Sequence, residues 1–588
     1  MISSAQSSQH ASMPLIELGA TLILIGFAFC LPRLGGMTFR RIERSFARLA
    51  RRKTLSIILV GAAAFFLRLA ILPLFPMPLP FVPDDFSFLL SADTFAHGRL
   101  FNPTPLMWTH FETIHVTMTP SYASMYFPGQ GLVLAAGQVL FGHPWVGLLI
   151  VNALMCAAIC WMLQAWLPAS WALLGGVLSV LHLGLFSYWI NTYHAAGGIC
   201  ALGGALIVGA LPRLMKTVRL RYGVLLAVGI ALLLLTRPYE GLLLCLPAAW
   251  ALARWAFLSK KRPQGSLLLR RAAVPVMLIA AAAAWLGYYD YRAFGKATTL
   301  PYTLDRTEYA LAPYYVWQSQ RPEPAYRHAV MRDFYHAGEL EFYSKIHNVK
   351  GFVPQTLLKV SWTIFFYAGF ALLPPLFFLR RAMQDKRMRF LALCIAVMVP
   401  GMLIQIFLLP HYLAAYTAIF YALGLQAMRH MRQWKPEGKA VGLAMARLCI
   451  TLCVALAGLR VVAEPLGVML PALPVINWNF MWYGPGLNGT ERSLITSELN
   501  QQPGKHLVLV RYSGKHNPFN EWVYNDAGID TAKVIWAREM DGNKNDELLN
   551  FYKDRHVWLV EPDASAVRLV PYQQSTAGPP VTLIAANR

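Results

Sequence analysis

Apolar runs recur along the chain from residue 14 to about residue 470, separated by short polar breaks. About 20 residues at 1.5 Å rise cross a hydrocarbon core. The pattern predicts spans at 14–32, 54–76, 145–163, 168–188, 195–213, 222–237, 239–257, 272–290, 355–379, 389–408, 412–430 and 443–462, about twelve transmembrane helices. The run "PGQGLVLAAGQVLFG" at 128–142 is ambiguous, because its 15 residues cover only about 22 Å as a helix.

Basic residues decide that case. The segment 40–53, "RRIERSFARLARRK", carries seven Lys/Arg and is expected to be cytoplasmic. If 128–142 lies in the interface, the four basics of 213–221, five of 258–271, five of 380–389 and four of 429–439 are cytoplasmic too. If it crosses, all of them move outside, so the positive-inside bias favours an interfacial helix. Regions 77–144, 187–194, 291–354 and the tail from about 463 then face out. Both termini are expected outside, in a multi-pass protein of an inner-membrane type.

Composition agrees with this class. The chain has 588 residues, 56% hydrophobic and 14% charged, against about 25% charged in soluble proteins. The net charge of +23 sits in short loops, so it points to a lipid bilayer as partner and away from nucleic acid. All eight cysteines lie in apolar stretches, so no disulfide and no cysteine metal site is expected. The N-terminal "MISSAQSSQHASM" lacks a basic n-region, and 14–32 reads as a retained helix. Few polar residues are expected deep in the spans beyond Asn152 and Gln138 of the interfacial helix, which disfavours a transporter.

The tail has a different pattern. "KHLVLVRYS" (505–513), "AKVIWARE" (532–539) and "HVWLVEPD" (556–563) read as strands, with helix-like stretches around 518–527 and 544–553. Alternating strands and helices predict a small parallel α/β domain. No glycine-rich phosphate loop follows the first strand, so no nucleotide site is assigned. The organisation is thus a polytopic α-helical membrane protein: 1–53, a helix and basic segment; 54–462, the transmembrane domain; 463–588, an extracytoplasmic α/β domain. Asn488 opens a glycosylation sequon, "NGT".

The candidate chemistry begins at "FVPDDFSFLL", where adjacent carboxylates, Asp84 and Asp85, follow a proline-rich helix exit. One reading makes an acid the cap of a helix. The other makes it a base at the membrane surface; the two are compatible. Arg237 ends a leucine run in "LLLLTRPYEG", a costly place for a charge unless it is paired or functional. Glu240 is its local partner, and Arg292 and Lys296 are the next candidates for an anion. His97, His115, Tyr126, Tyr193, His194, His411 and Tyr412 are candidate lining for a cleft, though interfacial belts explain tyrosines equally well. "HFETIH" (110–115) could bind a divalent cation, but its spacing matches no strong metal signature. Metal ligands are therefore assigned to none, and the cofactor stays open.

The early outside acid pair, the juxtamembrane "YASMYFPGQGLVLAAGQVLFGHPW", the many spans and the outside tail resemble the GT-C superfamily of integral-membrane glycosyltransferases. The likeness is to its bacterial branch of protein O-mannosyltransferase and lipid A aminoarabinose transferase type. It covers 54–430 as architecture and 81–145 in motifs. It implies a bacterial inner membrane, a polyprenyl-phosphate sugar donor, an extracytoplasmic acceptor and inversion at the sugar. It also implies Asp84 as base with Asp85 as partner. Met125 stands where such enzymes often carry a lysine near the donor phosphate. A flippase of lipid-linked sugars, or a polysaccharide ligase or polymerase, is the alternative.

Overall fold

A computed structural model describes residues 12–259, 264–468, 481–485 and 490–572. The extreme termini and the Asn488 sequon lie outside the described residues. Among these residues, seven helices are long and apolar enough to cross a membrane. The predicted spans at 168–188, 222–237 and 389–408 fall on shorter apolar helices, Ala169–Gly184, Leu220–Leu234 and Arg389–Leu403. Two others are interrupted. Helix Val349–Ala368 stops at Gly369, whose φ is 55° and where a Cβ would come within 2.3 Å of Glu17 Oε1. A 3-10 turn, Pro410–Tyr416, precedes helix Thr417–Arg432.

The basic segment is no loop. Gly36–Arg51 is an amphipathic helix whose Phe46 and Leu49 pack on the bundle while its arginines line the outer side.

The spans carry four buried charged residues, three of them within two turns of a helix end. Glu17, Arg68, Lys359 and Arg460 are all buried. Each serves a chain break, where backbone groups lack helical partners. Glu17 accepts from the N–H groups of Phe370 and Ala371 at 3.0 and 3.2 Å. Arg68 donates to the carbonyls of Phe75 and Pro76 and to Asn191 Oδ1. Lys359 donates to Gln405 O, and Arg460 to Tyr483 O and Pro485 O. These are brackets at breaks in the helices.

Helix Pro83–Ala96 starts with Pro83 at its first position, where a missing N–H costs nothing. It packs beside helix Pro128–Phe141, whose 14 residues are fewer than the roughly 20 that cross a hydrocarbon core. Their approach is close: a Cβ on Gly131 would come within 2.2 Å of Ser91 Oγ. The N-terminus of the second helix is pinned to the end of Leu220–Leu234 by Gly129 N–H donating to Leu235 O at 2.7 Å. That bond brings the Tyr126 segment to the Arg237 corner.

The tail forms a four-stranded sheet in the order 534–538, 505–510, 555–560, 569–571. The first three strands are parallel and the last is antiparallel. Helix Gly542–Phe551 matches the predicted 544–553. The helix expected around 518–527 is absent; only a 3-10 turn, Pro518–Asn520, forms there. Glu521 is the reason. Buried at 0% side-chain exposure, it accepts from the Tyr512 hydroxyl, from the backbone N–H of Val523 and from Arg538 at 2.8 Å, which holds 521–525 extended.

The tail domain clasps helix Pro83–Ala96. Tyr524 stacks on Phe86 with centroids 4.4 Å apart and an interplanar angle of 2°. The Arg492 guanidinium lies between Phe86 and Trp536, 4.6 and 4.7 Å from the ring centroids. Tyr122 donates to Asn525 O at 2.8 Å, and Ala527 N–H donates to Asp93 Oδ2 at 2.9 Å. "HFETIH" serves the same join: His110 bonds Arg538 O and Lys544 O, and Glu112 binds Tyr309, Arg327 and, through its carbonyl, Arg538.

Candidate active site

Asp84 and Asp85 sit on the first turn of Pro83–Ala96 and have different surroundings. Asp85 has a side chain only 2% exposed. Its Oδ2 accepts from the N–H groups of Phe81 and Val82 at 3.1 and 3.4 Å. Its Oδ1 accepts from Tyr193 N–H at 2.8 Å and from His194 Nδ1 at 2.9 Å. Four donors converge on one carboxylate, which ties the helix start to the 187–194 turn.

Asp84 has a side chain 34% exposed, so one carboxylate of the pair is open while the other is enclosed. It accepts a short hydrogen bond from the Tyr126 hydroxyl. The same hydroxyl lies 3.1 Å from His115 Nδ1, which is also 3.6 Å from Asp84 Oδ2. A phenol has one proton to give. With that proton directed at Asp84 in the hydrogen bond, the Tyr126 oxygen accepts from His115 Nδ1–H, making a relay of imidazole, phenol and carboxylate. Burial alone would raise the Asp84 pKa, but the charge and hydrogen bond of His115, then His194 and Tyr126, hold it well below the usual carboxylate range. His115 moves the other way: burial lowers its pKa, and the Asp84 charge outweighs burial and raises it.

Local sequence builds this relay. His115 has φ 62°, left-handed backbone that costs a non-glycine residue about 1–2 kcal/mol. It is held there by its carbonyl, which accepts from Ser87 Oγ at 2.7 Å and from Met125 N–H at 3.2 Å. Tyr126 stacks on Phe88 at 4.3 Å and meets Tyr302 edge-on at 5.3 Å. Met125 itself is buried in an apolar cluster with Phe88, Leu134 and Trp145. A lysine there would lose solvation with no acid supplied by that cluster.

Arg237 adjoins Tyr412. It is buried, reaches Glu240 at 3.4 Å, and lies 4.3 Å over the Tyr412 ring. Its Nε has no hydrogen-bond partner among the described residues. Tyr412 is also within electrostatic reach of Asp84. His411 bonds the Tyr188 hydroxyl through Nδ1 at 2.9 Å and meets His194 edge-on at 6.2 Å. Asp84, His115, Tyr126, His194, His411, Tyr412 and Arg237 therefore share one corner.

Three predicted residues stand elsewhere. His97 is at the far end of the Asp84 helix, 13 residues or about 20 Å away, and its exposed ring bonds Asp93. Adjacency in sequence placed it in the cleft; the length of a rigid helix removes it. Arg292 and Lys296 lie on exposed surface at the end of helix Gly265–Phe294, where Arg292 bonds the Tyr288 hydroxyl at 2.8 Å. Tyr193 lies at the site's edge as a structural tie, its hydroxyl donating to Pro78 O.

The sequence reading missed Asp305 and Arg306. Helix Pro301–Tyr309 buries both. Arg306 forms a two-pronged pair with Glu339 at 2.9 and 2.8 Å. Asp305 Oδ1 has no hydrogen-bond partner among the described residues, and burial pushes its pKa up to about 6 against the opposing charges of His115 and Arg306. "PYTLDRTEY" carries a usable signal, a proline start followed by charges one turn in.

A divalent cation does not fit the acid pair as arranged. Asp85 is filled by N–H donors, Asp84 is shared by Tyr126 and His115, and no group of three potential ligands converges among the described residues.

No family model matches the chain, and no curated protein matches it. Solved structures of similar shape include the Archaeoglobus fulgidus oligosaccharyltransferase in complex with Zn and sulfate. Its TM-score is 0.44 at 10% identity, over 86% of this chain and 67% of that one. ArnT from Cupriavidus metallidurans, in the apo state, has a TM-score of 0.44 at 12% identity, over 86% of this chain and 93% of that one. The archaeal oligosaccharyltransferase AglB in complex with an inhibitory peptide and a dolichol-phosphate has a TM-score of 0.38 at 10% identity, over 89% and 69%. These are likenesses of shape, and no residue is carried across from them.

Proposed function

We propose that the chain is a membrane glycosyltransferase that moves a sugar from a polyprenyl-phosphate-linked donor to an extracytoplasmic acceptor, in a bacterial inner membrane. The carrying observation is that an open, ionised carboxylate, Asp84, and a buried arginine, Arg237, both lie within electrostatic reach of the same two residues, His411 and Tyr412. An acid on one wall orients and deprotonates an acceptor. A cation on the other receives a phosphate leaving group, and its unpaired Nε is free to donate.

In this reading the acceptor oxygen or nitrogen attacks the anomeric carbon while the bond to phosphate breaks. The acceptor proton goes to Asp84, and Arg237 stabilises the departing lipid phosphate. One displacement inverts the sugar. Asp84 has low proton affinity, so it suits late proton transfer, after an oxocarbenium-like transition state has made the acceptor acidic. Asp85 holds the helix start in place. Arg292 and Lys296, exposed at the surface, are left as attractors for the anionic donor.

The test uses membranes containing the protein and a radiolabelled polyprenyl-phosphate sugar pool. Release of label from the lipid, dependent on the protein and abolished in Arg237→Gln, is the expected result. A pool consumed equally with and without the protein overturns the reading.

A further inference from the structure

The end of the bundle away from Asp84 carries a second concave site. Helix Thr417–Arg432 starts just after His411 and Tyr412 and runs about 24 Å to its last turn. There its end meets the starts of Ala169–Ser179 and Val441–Val461 around a cavity of about 500 Å³. Arg429, Arg432, Gln433 and Lys435 line one side; Trp171, Ala440 and Leu443 line the other.

Three cations and no acid face this space. The nearby acids are already engaged. Glu43 accepts from Arg447 through both oxygens at 2.9 and 3.0 Å and reaches Arg432 only at 3.4 Å. Asp385 accepts from Gln426 at 2.8 Å and from Arg387 N–H. Glu437 lies by Lys439. Arg429 is positioned by Gln426 Oε1 at 2.6 Å, a neutral partner that orients the guanidinium without cancelling its charge. Like charges around one cavity repel unless an anion joins them.

We infer that this cavity binds the phosphodiester headgroup of an anionic phospholipid. Guanidinium groups suit phosphate oxygens in a two-pronged fit. The volume lies within the range of small-molecule sites, roughly 300–1,000 Å³, and exceeds what a bare ion fills. The apolar wall favours a lipid over free phosphate: an indole and a leucine side chain contact glycerol and the first acyl carbons. Three helix ends meet there, at the level where headgroups lie beside a bundle.

The experiment is thermal unfolding of the purified full-length protein in mixed micelles, titrated with phosphatidylglycerol, phosphatidylcholine or inorganic phosphate. Phosphatidylglycerol is expected to raise Tm by about 2–4 °C over phosphatidylcholine. The rise should vanish in Arg429→Gln/Lys435→Gln and persist in Arg380→Gln/Arg381→Gln, which removes two exposed cations outside the cavity. An equal rise with both lipids, or one that survives in the Arg429/Lys435 variant, overturns the inference. A matching rise with inorganic phosphate assigns the cavity to the free ion and overturns the lipid. Native mass spectrometry of the wild type is a second reading that needs no variant: one phosphatidylglycerol should outlast phosphatidylcholine, and equal retention contradicts the site.

Discussion

Tyr126 donates its single hydroxyl hydrogen bond to Asp84 while its oxygen faces His115 Nδ1 at 3.1 Å. The phenol couples an open carboxylate to a buried imidazole. Replacing Tyr126 with Phe keeps the stack on Phe88 and removes only the coupling. Turnover is expected to fall about 10- to 100-fold, or about 1.4–2.8 kcal/mol, with a stability loss of about 1 kcal/mol. Initial rates and thermal midpoints of Tyr126→Phe, measured together, check both numbers.

Asp85 behaves differently from its neighbour. It satisfies four donors from two chain segments. Asp85→Asn puts an amide where at least one N–H must then face another donor. The expected cost is about 2–4 kcal/mol, read as a drop in the midpoint of the solubilised protein. An Asp85→Asn variant as stable as wild type would assign those contacts no weight.

The His115–Asp84 pair sets a pH window. His115 has a raised pKa in the fold, so its contribution is complete below its ordinary 6.5 and fades as pH climbs through the raised value. Asp84 has a depressed pKa, so its contribution is complete above its ordinary 3.8 and is lost as pH falls through the depressed value. The stability difference between wild type and His115→Gln should therefore be largest between about pH 4 and 6.5 and shrink toward alkaline pH. Melting curves of both proteins across that range test the sign.

Asp305 has the opposite linkage. Its carboxyl is raised from 3.8 to about 6 by burial. Below pH 3.8 both states are protonated and nothing is gained. Between these values the unfolded carboxyl ionises first, and above them the folded state carries the full penalty. Asp305→Asn should stabilise the protein by on the order of 2–3 kcal/mol above pH 6 and by little near pH 4. A variant less stable at pH 8 would show that the ionised form is needed.

Arg538 joins the tail to the segment that carries Glu112. It meets Glu521 at 2.8 Å and the Glu112 carbonyl at 2.9 Å, all buried. Arg538→Met strands the Glu521 carboxylate, which costs about 3–5 kcal/mol. Hydrogen exchange should rise at 505–510 and 534–538 and at the Phe86 turn. Exchange confined to the sheet would show that the clasp on helix Pro83–Ala96 holds without it.

Much of this arrangement was legible in the chain because it is local. Apolar runs of fixed length marked helices, and β-rich runs marked three of the four strands. "PDDF" at a helix start placed both acids on one turn. What was not legible depends on distant segments. Nothing near Glu521 announces that Arg538 and Tyr512 will draw it inward and unwind the expected helix. The donors to Glu17, Phe370 and Ala371 at the break by Gly369, lie some 350 residues on. His97 and His115 looked equivalent beside Asp84; only the straightness of one helix and the return of the next strand segment separate them. Asp305 reaches the same corner from a 64-residue loop whose path the sequence does not reveal.

The most direct test of the central claim compares sugar release from a polyprenyl-phosphate donor by wild type and Asp84→Asn, each matched for insertion and assayed well below both thermal midpoints. The account expects a loss of about 100- to 10,000-fold, in line with removing an acid–base group, together with a lower midpoint from the lost Tyr126 and His115 contacts. Asp84→Asn releasing sugar at the wild-type rate would contradict it, and would leave the acid pair as a helix start alone.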